Sequence, residues 1–310
     1  MANGYKVLVC DHIDERGVKI LRDAGLEVDY RPKITPEEVV SAVEGFDAVI
    51  VRSRTKVKAD VIQRAAKLKV IGRAGVGLDN IDVDAAKQRG IAVYNSPESL
   101  TNAVAELALG LMIAAARGVG AGYCNLKNGV WVKESLMGTE LSGKTVGIVG
   151  FGRIGRRLAE LLKPFNVKVL AYDILPPDET VLDALSAKLV GLDELLVASD
   201  FISLHLPGGP SMRGFIGADR LSKMKKTSFI VNTSRGEVLD ENALVNALKS
   251  GSIRGAALDV FAMEPPTNKE LLSLDNIVFT PHIGGQTLEA QASAATIIAQ
   301  KIVDHLSKSA

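Results

Sequence analysis

Apolar positions along the chain fall into short β-branched runs, separated by stretches in which they recur every three or four residues. The runs predict strands at Lys6–Val9, Glu27–Tyr30, Ala48–Val51, Lys69–Ile71 and Ile91–Tyr94. Glu15–Ala24 between them reads as a helix. Thr35-Pro36-Glu37-Glu38 opens another, with Thr35 as N-cap, Pro36 at the first helical position and Glu38 closing a capping box. Strands alternating with helices imply a parallel sheet covered on both faces, with right-handed crossovers.

The texture then changes. Thr101 to Arg117 reads as one Ala- and Leu-rich helix, apolar nearly all round, which is expected to lie between domains or subunits. A polar, glycine-bearing stretch, Asn125–Gly143, follows. Alternation resumes with a strand at Thr145–Val149, a helix to about Lys163 and a strand at Lys168–Tyr172. Further strands are expected at Phe201–Leu204, Phe229–Asn232, Ala256–Asp259 and Ile277–Phe279, then a last helix from Thr287 to Leu306. The expected fold class is α/β: two doubly wound parallel-sheet domains with a cleft between them.

Composition narrows the class. A chain of 310 residues suits two domains, and 47% hydrophobic with 24% charged residues is globular rather than disordered. A net charge of +1 offers no global attraction for nucleic acid or an anionic membrane. The 2 cysteines, Cys10 and Cys124, have neither redox nor zinc spacing, so no metal site is expected. Met1 to Lys6 lacks the features of a signal peptide. The apolar stretch Ala103–Ala116 carries Glu106 and falls short of the ~20 residues of a membrane span. A soluble, cytoplasmic protein without nucleic-acid or membrane partners is the expectation.

One motif carries chemistry. Gly150-Phe151-Gly152-Arg153-Ile154-Gly155 is a G-x-G-x-x-G that leaves one predicted strand and enters a helix; the next strand delivers Asp173. Gly150 allows the tight turn, Gly152 the approach of a pyrophosphate, and Gly155 close helix–strand packing, while the helix N-terminus offers unpaired N–H groups. Asp173 would accept bonds from both ribose hydroxyls and repel a 2′-phosphate. Ile174, Leu175 and Pro176 supply no compensating arginine, so the cofactor reads as NAD rather than NADP.

Ligands of open parallel sheets bind outside the carboxyl ends of the strands. There the later strands deliver His205-Leu206-Pro207, Thr233-Ser234-Arg235-Gly236, Asp259 with Glu264 shortly after, and Thr280-Pro281-His282-Ile283-Gly284-Gly285. Arg235 can grip a carboxylate bidentately, His282 can exchange a proton, and Glu264 can hold its ring. The first half adds Arg52-Ser53-Arg54 and Arg73-Ala74-Gly75-Val76-Gly77 at its own strand ends, which suits an anionic substrate; structural ion pairing is the competing reading of Arg52 and Arg73. His205 is read as shaping the cofactor rim, His12 and His305 as solvated, and Trp131 as a packing anchor.

These stretches together resemble the D-isomer-specific 2-hydroxyacid dehydrogenase family. The likeness runs through RAGVGLDNID (Arg73–Asp82), AELALGLM from Ala105, GKTVGIVGFGRIG (Gly143–Gly155), TSRGEVLDENAL (Thr233–Leu244), ALDVFAMEP (Ala257–Pro265) and TPHIGG (Thr280–Gly285). It implies a Rossmann-type NAD domain at 99–283 and a flavodoxin-like substrate domain from 1–98 plus 284–310. It implies a catalytic set of Arg235, Glu264 and His282, and NAD contacts at Val76, Gly150, Gly152, Arg153, Ile154, Gly155, Asp173, His205, Leu206, Pro207, Thr233, Ser234, Arg235, Asp259, His282, Gly284 and Gly285. Substrate contacts would fall at Arg52, Ser53, Arg73, Gly75, Val76, Arg235 and His282. Homodimers formed through the Thr101–Arg117 helix are implied as well.

Within the family, VRSRTKVKADVI (Val51–Ile62) with RAGVGLDNID is most similar to the D-3-phosphoglycerate dehydrogenase branch, which interconverts D-3-phosphoglycerate and 3-phosphohydroxypyruvate in serine biosynthesis. The sequence runs only a short way past TPHIGG, so the form without a C-terminal regulatory domain is expected. Ala103 stands where that branch often has a hydroxyl residue. A glyoxylate or hydroxypyruvate reductase stays open as an alternative, and so does an NAD-sensing binding protein of the corepressor type.

Overall fold

A computed structural model describes residues 4–308; Met1–Asn3, which begin the N-terminal segment read above, and Ser309–Ala310 lie outside it. The chain divides into two compact units, Met1–Thr101 with Gly285–Ala310, and Asn102–Gly284.

The first unit holds five parallel strands, β1 (Lys6–Val9), β2 (Glu27–Tyr30), β3 (Ala48–Val51), β4 (Val70–Arg73) and β5 (Ala92–Asn95), in the order β2-β1-β3-β4-β5. Alternate residues face opposite layers, as the pleat requires. Val7, Val9, Ala48, Ile50 and Val70 pack with the helix Glu15–Asp23 and the final helix Leu288–Lys308. Leu8, Cys10, Val49, Val51 and Ile71 pack on the other side, under Val39, Val61, Ile62 and Ala86 of three short helices. The capping box at Thr35 forms: its hydroxyl accepts from Glu38 N, and the Glu38 carboxylate takes Thr35 N at 2.8 Å. The final helix lies so close to Glu15–Asp23 that a Cβ on Gly17 would stand 2.7 Å from the Ala295 carbonyl. Only glycine permits that approach. At its far end His305, expected to be solvated, is half-buried, and its Nδ1 lies 3.2 Å from the Tyr94 hydroxyl.

The second unit holds seven parallel strands, β6 (Thr145–Val149), β7 (Lys168–Tyr172), β8 (Ala187–Leu189), β9 (Phe201–Leu204), β10 (Phe229–Asn232), β11 (Gly255–Leu258) and β12 (Ile277–Phe279), in the order β12-β11-β10-β9-β6-β7-β8. The central strands are buried on both faces and read as near-continuous apolar runs. Sequence patterning misses β8, a three-residue edge strand whose Lys188 is exposed.

Patterning also misses the helix Val119–Lys127, which precedes the polar, glycine-bearing stretch and runs into its first residues. It starts after Gly118, at φ +60°, carries two more glycines, and buries none of its residues. The long helix, Thr101–Ala116, sends Ala105, Ala108, Leu111, Met112 and Ala116 into the second unit's own core, against Val146, Ile148, Phe201 and Val231. That burial accounts for one side of the helix within its own unit; Leu107, Leu109, Ile113 and Ala114 on the rest of it are only half-buried. Trp131 is 79% exposed and anchors no packing. Among the described residues, no single helix is long and apolar enough to cross a membrane, and no group of His, Cys, Asp and Glu could hold a metal ion.

Candidate active site

Strand register builds the rim of the second unit. Val149 pairs with both Tyr172 and Leu204, Leu204 with Asn232, Asn232 with Leu258, and Leu258 with Phe279. The next residues, Gly150, Asp173, His205, Thr233, Asp259 and Thr280, therefore stand in one row at the carboxyl ends. Strand order reverses between β6 and β9, the switch point at which such sheets bind dinucleotides.

Gly150 and His205 flank that point. Gly150 has φ +93°, and a Cβ there would meet the His205 carbonyl at 2.3 Å. At Gly155 a Cβ would meet the Gly150 carbonyl at 2.3 Å, whereas Gly152 faces open space at the N-terminus of the helix Arg153–Leu162. Arg153 is exposed and Ile154 half-buried beside it. Asp173 Oδ2 accepts the Phe151 N–H at 2.6 Å and Oδ1 accepts Leu175 N at 2.9 Å, so the carboxylate also braces the glycine turn. Each oxygen keeps a second lone pair for a ribose hydroxyl.

Along the same rim, Nδ1 of His205 and Oγ1 of Thr233 are buried with no hydrogen-bond partner. Leu206 is half-buried and Pro207 exposed. Burial holds the His205 imidazole neutral, with its pKa down at about 4, and Nε2 lies 2.9 Å from the Ser203 hydroxyl. A cradle that admits no Cβ, an exposed helix N-terminus, a braced Asp and orphaned polar atoms fit a bound dinucleotide. The residues suit NAD.

The catalytic candidates stand on neighbouring loops. His282 Nδ1 lies 2.8 Å from Glu264 Oε2, and Oε1 of that carboxylate accepts Phe261 N at 3.2 Å. Nε2 is the ring nitrogen turned away from Glu264. His282 has φ +52°, a left-handed conformation that a non-glycine residue keeps only under constraint. Asp259 supplies the constraint: its carbonyl accepts His282 N at 2.8 Å, Oδ1 takes the Thr280 hydroxyl and Ile283 N, and Oδ2 takes Gly284 N. At 1% exposure, this carboxylate is committed to the loop that aims His282. The family resemblance implied Asp259 and Gly284 as cofactor contacts; in the structure the two are joined, Gly284 N donating to Asp259 Oδ2.

Arg235 leaves β10 on a turn built by Asn232, whose Oδ1 accepts Ser234 N and the Ser234 hydroxyl and whose Nδ2 donates to the Arg235 carbonyl. Gly236 then presses on the β11 loop: a Cβ would sit 1.8 Å from the Phe261 carbonyl carbon. Glu241 grips that loop from the other side, accepting Ala262 N at 2.7 Å. The loops bearing Arg235 and Glu264 are thus packed backbone to backbone. No sequence motif pointed to Asn232 or Glu241 for this work.

The first unit has its own rim. Arg52 is half-buried and Ser53 exposed. Burial draws the Arg52 pKa down, against the pull of Asp11, and its Nη1 donates to the His12 carbonyl at 3.2 Å. Arg54 is taken up structurally: its guanidinium meets Asp11 at 3.0 Å and donates to the carbonyls of Pro32 and Ile34. Arg73 lies over Gly75, where a Cβ would be 1.9 Å from Nη1. Gly75 offers a ligand no backbone donor, because its N–H goes to the Ser96 hydroxyl at 2.9 Å; Val76 is held by its carbonyl through Asn95 Nδ2 at 2.6 Å. Gly285 belongs to this unit, its carbonyl accepting from Gln291 Nε2.

Comparison with known proteins agrees with this geometry. Residues 109–284 match the D-isomer specific 2-hydroxyacid dehydrogenase NAD binding domain. A D-3-phosphoglycerate dehydrogenase of Methanocaldococcus jannaschii is 47% identical over 298 residues, 96% of this chain but 56% of its own length. The chain thus spans about half the length of the relatives of that name that it matches. A hydroxypyruvate reductase of Thermotoga maritima is 44% identical across 97% of this chain and 98% of its own. A glyoxylate reductase structure from Paecilomyes thermophila superposes with a TM-score of 0.91 at 31% identity, covering 100% of this chain and 97% of that one. The chain belongs to the D-isomer-specific 2-hydroxyacid dehydrogenase family, with an NAD-binding domain in its second unit.

Proposed function

We propose that the chain is an NAD-dependent oxidoreductase that interconverts a D-2-hydroxy acid and its 2-oxo acid, D-3-phosphoglycerate and 3-phosphohydroxypyruvate being the favoured pair. The observation that carries the chemistry is the His282–Glu264 pair at 2.8 Å, on a loop locked by Asp259 beside a dinucleotide cradle. Arg235 would clamp the substrate carboxylate with its planar fork and polarise the C2 oxygen. His282 would take the C2 hydroxyl proton on Nε2 in oxidation and return it in reduction. Glu264 would hold the ring and face the imidazolium that results. NAD, when bound, supplies the acceptor for the hydride that leaves C2. From the first unit, Arg52, Ser53 and Arg73 would recognise the anionic tail, with Val76 beside them. The relatives' names support the phosphorylated tail.

A hydroxypyruvate reductase is the second reading. It is favoured by the Thermotoga maritima relative, which this chain matches across 98% of that protein's length. A homodimer working in the cytoplasm, on a small anionic acid, completes the proposal; exposed Tyr123, Leu126 and Trp131 would suit contact with another copy. Reduction of 3-phosphohydroxypyruvate, hydroxypyruvate and glyoxylate, followed by NADH absorbance, decides between the readings. The phosphorylated acid should have the highest kcat/KM. A preference for hydroxypyruvate would establish the second reading, and no turnover with any 2-oxo acid would refute both.

A further inference from the structure

We propose that Asp11 is a positioning residue for tail recognition: its buried carboxylate shapes the loop that presents Arg52 and Ser53. The proposal rests on the reading of Arg52 given above and deepens it.

The five-stranded sheet reverses its order between β1 and β3, so its ligand crevice lies at the carboxyl ends of those two strands. Asp11 is the second residue past β1 and Arg52 the first past β3. A buried carboxylate is tolerated only where donors surround it. Asp11, 3% exposed, has its donors from one short loop: Arg52 N at 2.6 Å, Thr55 N at 3.2 Å, the Thr55 hydroxyl at 2.7 Å and the Arg54 guanidinium at 3.0 Å. The loop therefore wraps an anion that is part of the protein. Asn80 closes it from behind, donating to the carbonyls of Arg52 and Thr55 at 2.8 and 2.6 Å.

Two consequences follow for an incoming anion. The loop's inward N–H groups are spent on Asp11, so they cannot cradle a phosphate. Arg54 is paired with the same carboxylate and tied to the backbone carbonyls of Cys10, Pro32 and Ile34. What the loop presents is the hydroxyl of Ser53 and the fork of Arg52, of which one N–H goes to the His12 carbonyl. Without the Asp11 charge, Arg54 keeps only its backbone carbonyls, the donors from Arg52 and Thr55 must share one acceptor oxygen, and the base from which Arg52 projects loosens.

The test compares 3-phosphohydroxypyruvate with hydroxypyruvate, which differ only in the phosphate, in the parent and in Asp11→Asn, Thr55→Val and Arg52→Ala. Asp11→Asn should raise KM for the phosphorylated acid about tenfold, the scale of one lost charge-assisted bond. KM and kcat with hydroxypyruvate, and NAD affinity by calorimetry, should stay near the parent's. Thr55→Val, which removes one bond and keeps the charge, should shift KM in the same direction by less, and it carries the test if Asp11→Asn does not fold. Equal losses on both acids, or a fall in kcat and NAD affinity alongside them, would make Asp11 a support of the whole unit and overturn the proposal. If Arg52→Ala is selective for the phosphate and the Asp11 and Thr55 variants are not, the proposal alone falls. If Arg52→Ala affects both acids alike, the tail reading falls and takes the proposal with it.

Discussion

Replacing Asp259 by Asn changes no volume and removes one charge from the loop that carries His282. In the parent, the carboxylate takes the Thr280 hydroxyl at 2.7 Å, Ile283 N at 2.8 Å and Gly284 N at 2.9 Å. An amide has one acceptor oxygen. If that oxygen stays with Thr280 and Ile283, the NH2 group faces the Gly284 N–H, donor against donor, in a position with 1% exposure. One bond to a charged group is lost, worth about 1.5–3 kcal/mol, and a buried N–H is left unpaired. The left-handed His282, at φ +52°, costs about 1–2 kcal/mol more than an ordinary conformation and is kept by these bonds. Taking about 2 kcal/mol as the bias lost from the aligned loop, kcat should fall about thirtyfold.

Initial rates of NADH formation at saturating substrates measure this, with NAD affinity by calorimetry and hydrogen exchange at the Ile283 and Gly284 amides alongside. Faster exchange at both amides, with NAD affinity nearly unchanged, is the expected pattern. A kcat within about threefold of the parent, under 1 kcal/mol, would show that these bonds do not aim His282. Weaker NAD binding with kcat intact at saturation would make Asp259 a cofactor contact instead.

His282→Ala should cut kcat by about 10²–10⁴-fold in the same absorbance assay, with NAD affinity nearly intact; a smaller loss when chemistry limits the rate would mean another group moves the proton. Asp173→Ala should lower kcat/KM for NAD and raise the relative use of NADP, and because Asp173 also braces Phe151 N, it should weaken both cofactors to a degree; an unchanged NAD/NADP ratio would contradict the ribose role. His205 titrates near 4 when folded and near 6.5 in an unfolded chain, so the unfolded state alone binds its proton between those values. Stability is therefore whole above about pH 6.5 and lost as pH falls toward 4, by at most about 3 kcal/mol for that shift; His205→Gln should flatten that slope in urea denaturation, and an equally steep slope would assign it to other groups.

The fold was largely legible because strands buried on both faces leave an unmistakable apolar run, as at Phe201–Leu204 and Phe229–Asn232. What escaped was whatever tertiary context alone stabilises. β8 is three residues at a sheet edge, and Val119–Lys127 is a glycine-broken helix with no buried face, so neither carries a period to read. The apolar surround of Thr101–Ala116 was visible, but not that a sheet of its own unit covers part of it. Trp131 misled for the converse reason, since a large aromatic implies burial only when something on the chain covers it.

The site divides along the same line. Residue type and strand-end position single out Arg235, Glu264 and His282 as candidates, and the structure pairs the last two. The same two signals are not enough to separate Arg52 from Arg54, two residues apart with the same side chain. The difference lies in Asp11, 41 residues before Arg52, which register sets beside β3 and which pairs with the Arg54 guanidinium. Asp11 and Asp259 have matching places in the two units, each just past a buried strand and each spent on an adjoining loop. In one unit that loop carries the group expected to move a proton, in the other the group expected to hold an anion. A buried carboxylate suits this work because backbone N–H groups and side-chain donors of one loop together satisfy it and so fix that loop. Such residues leave no mark in spacing; they become visible only when each donor around them is accounted for.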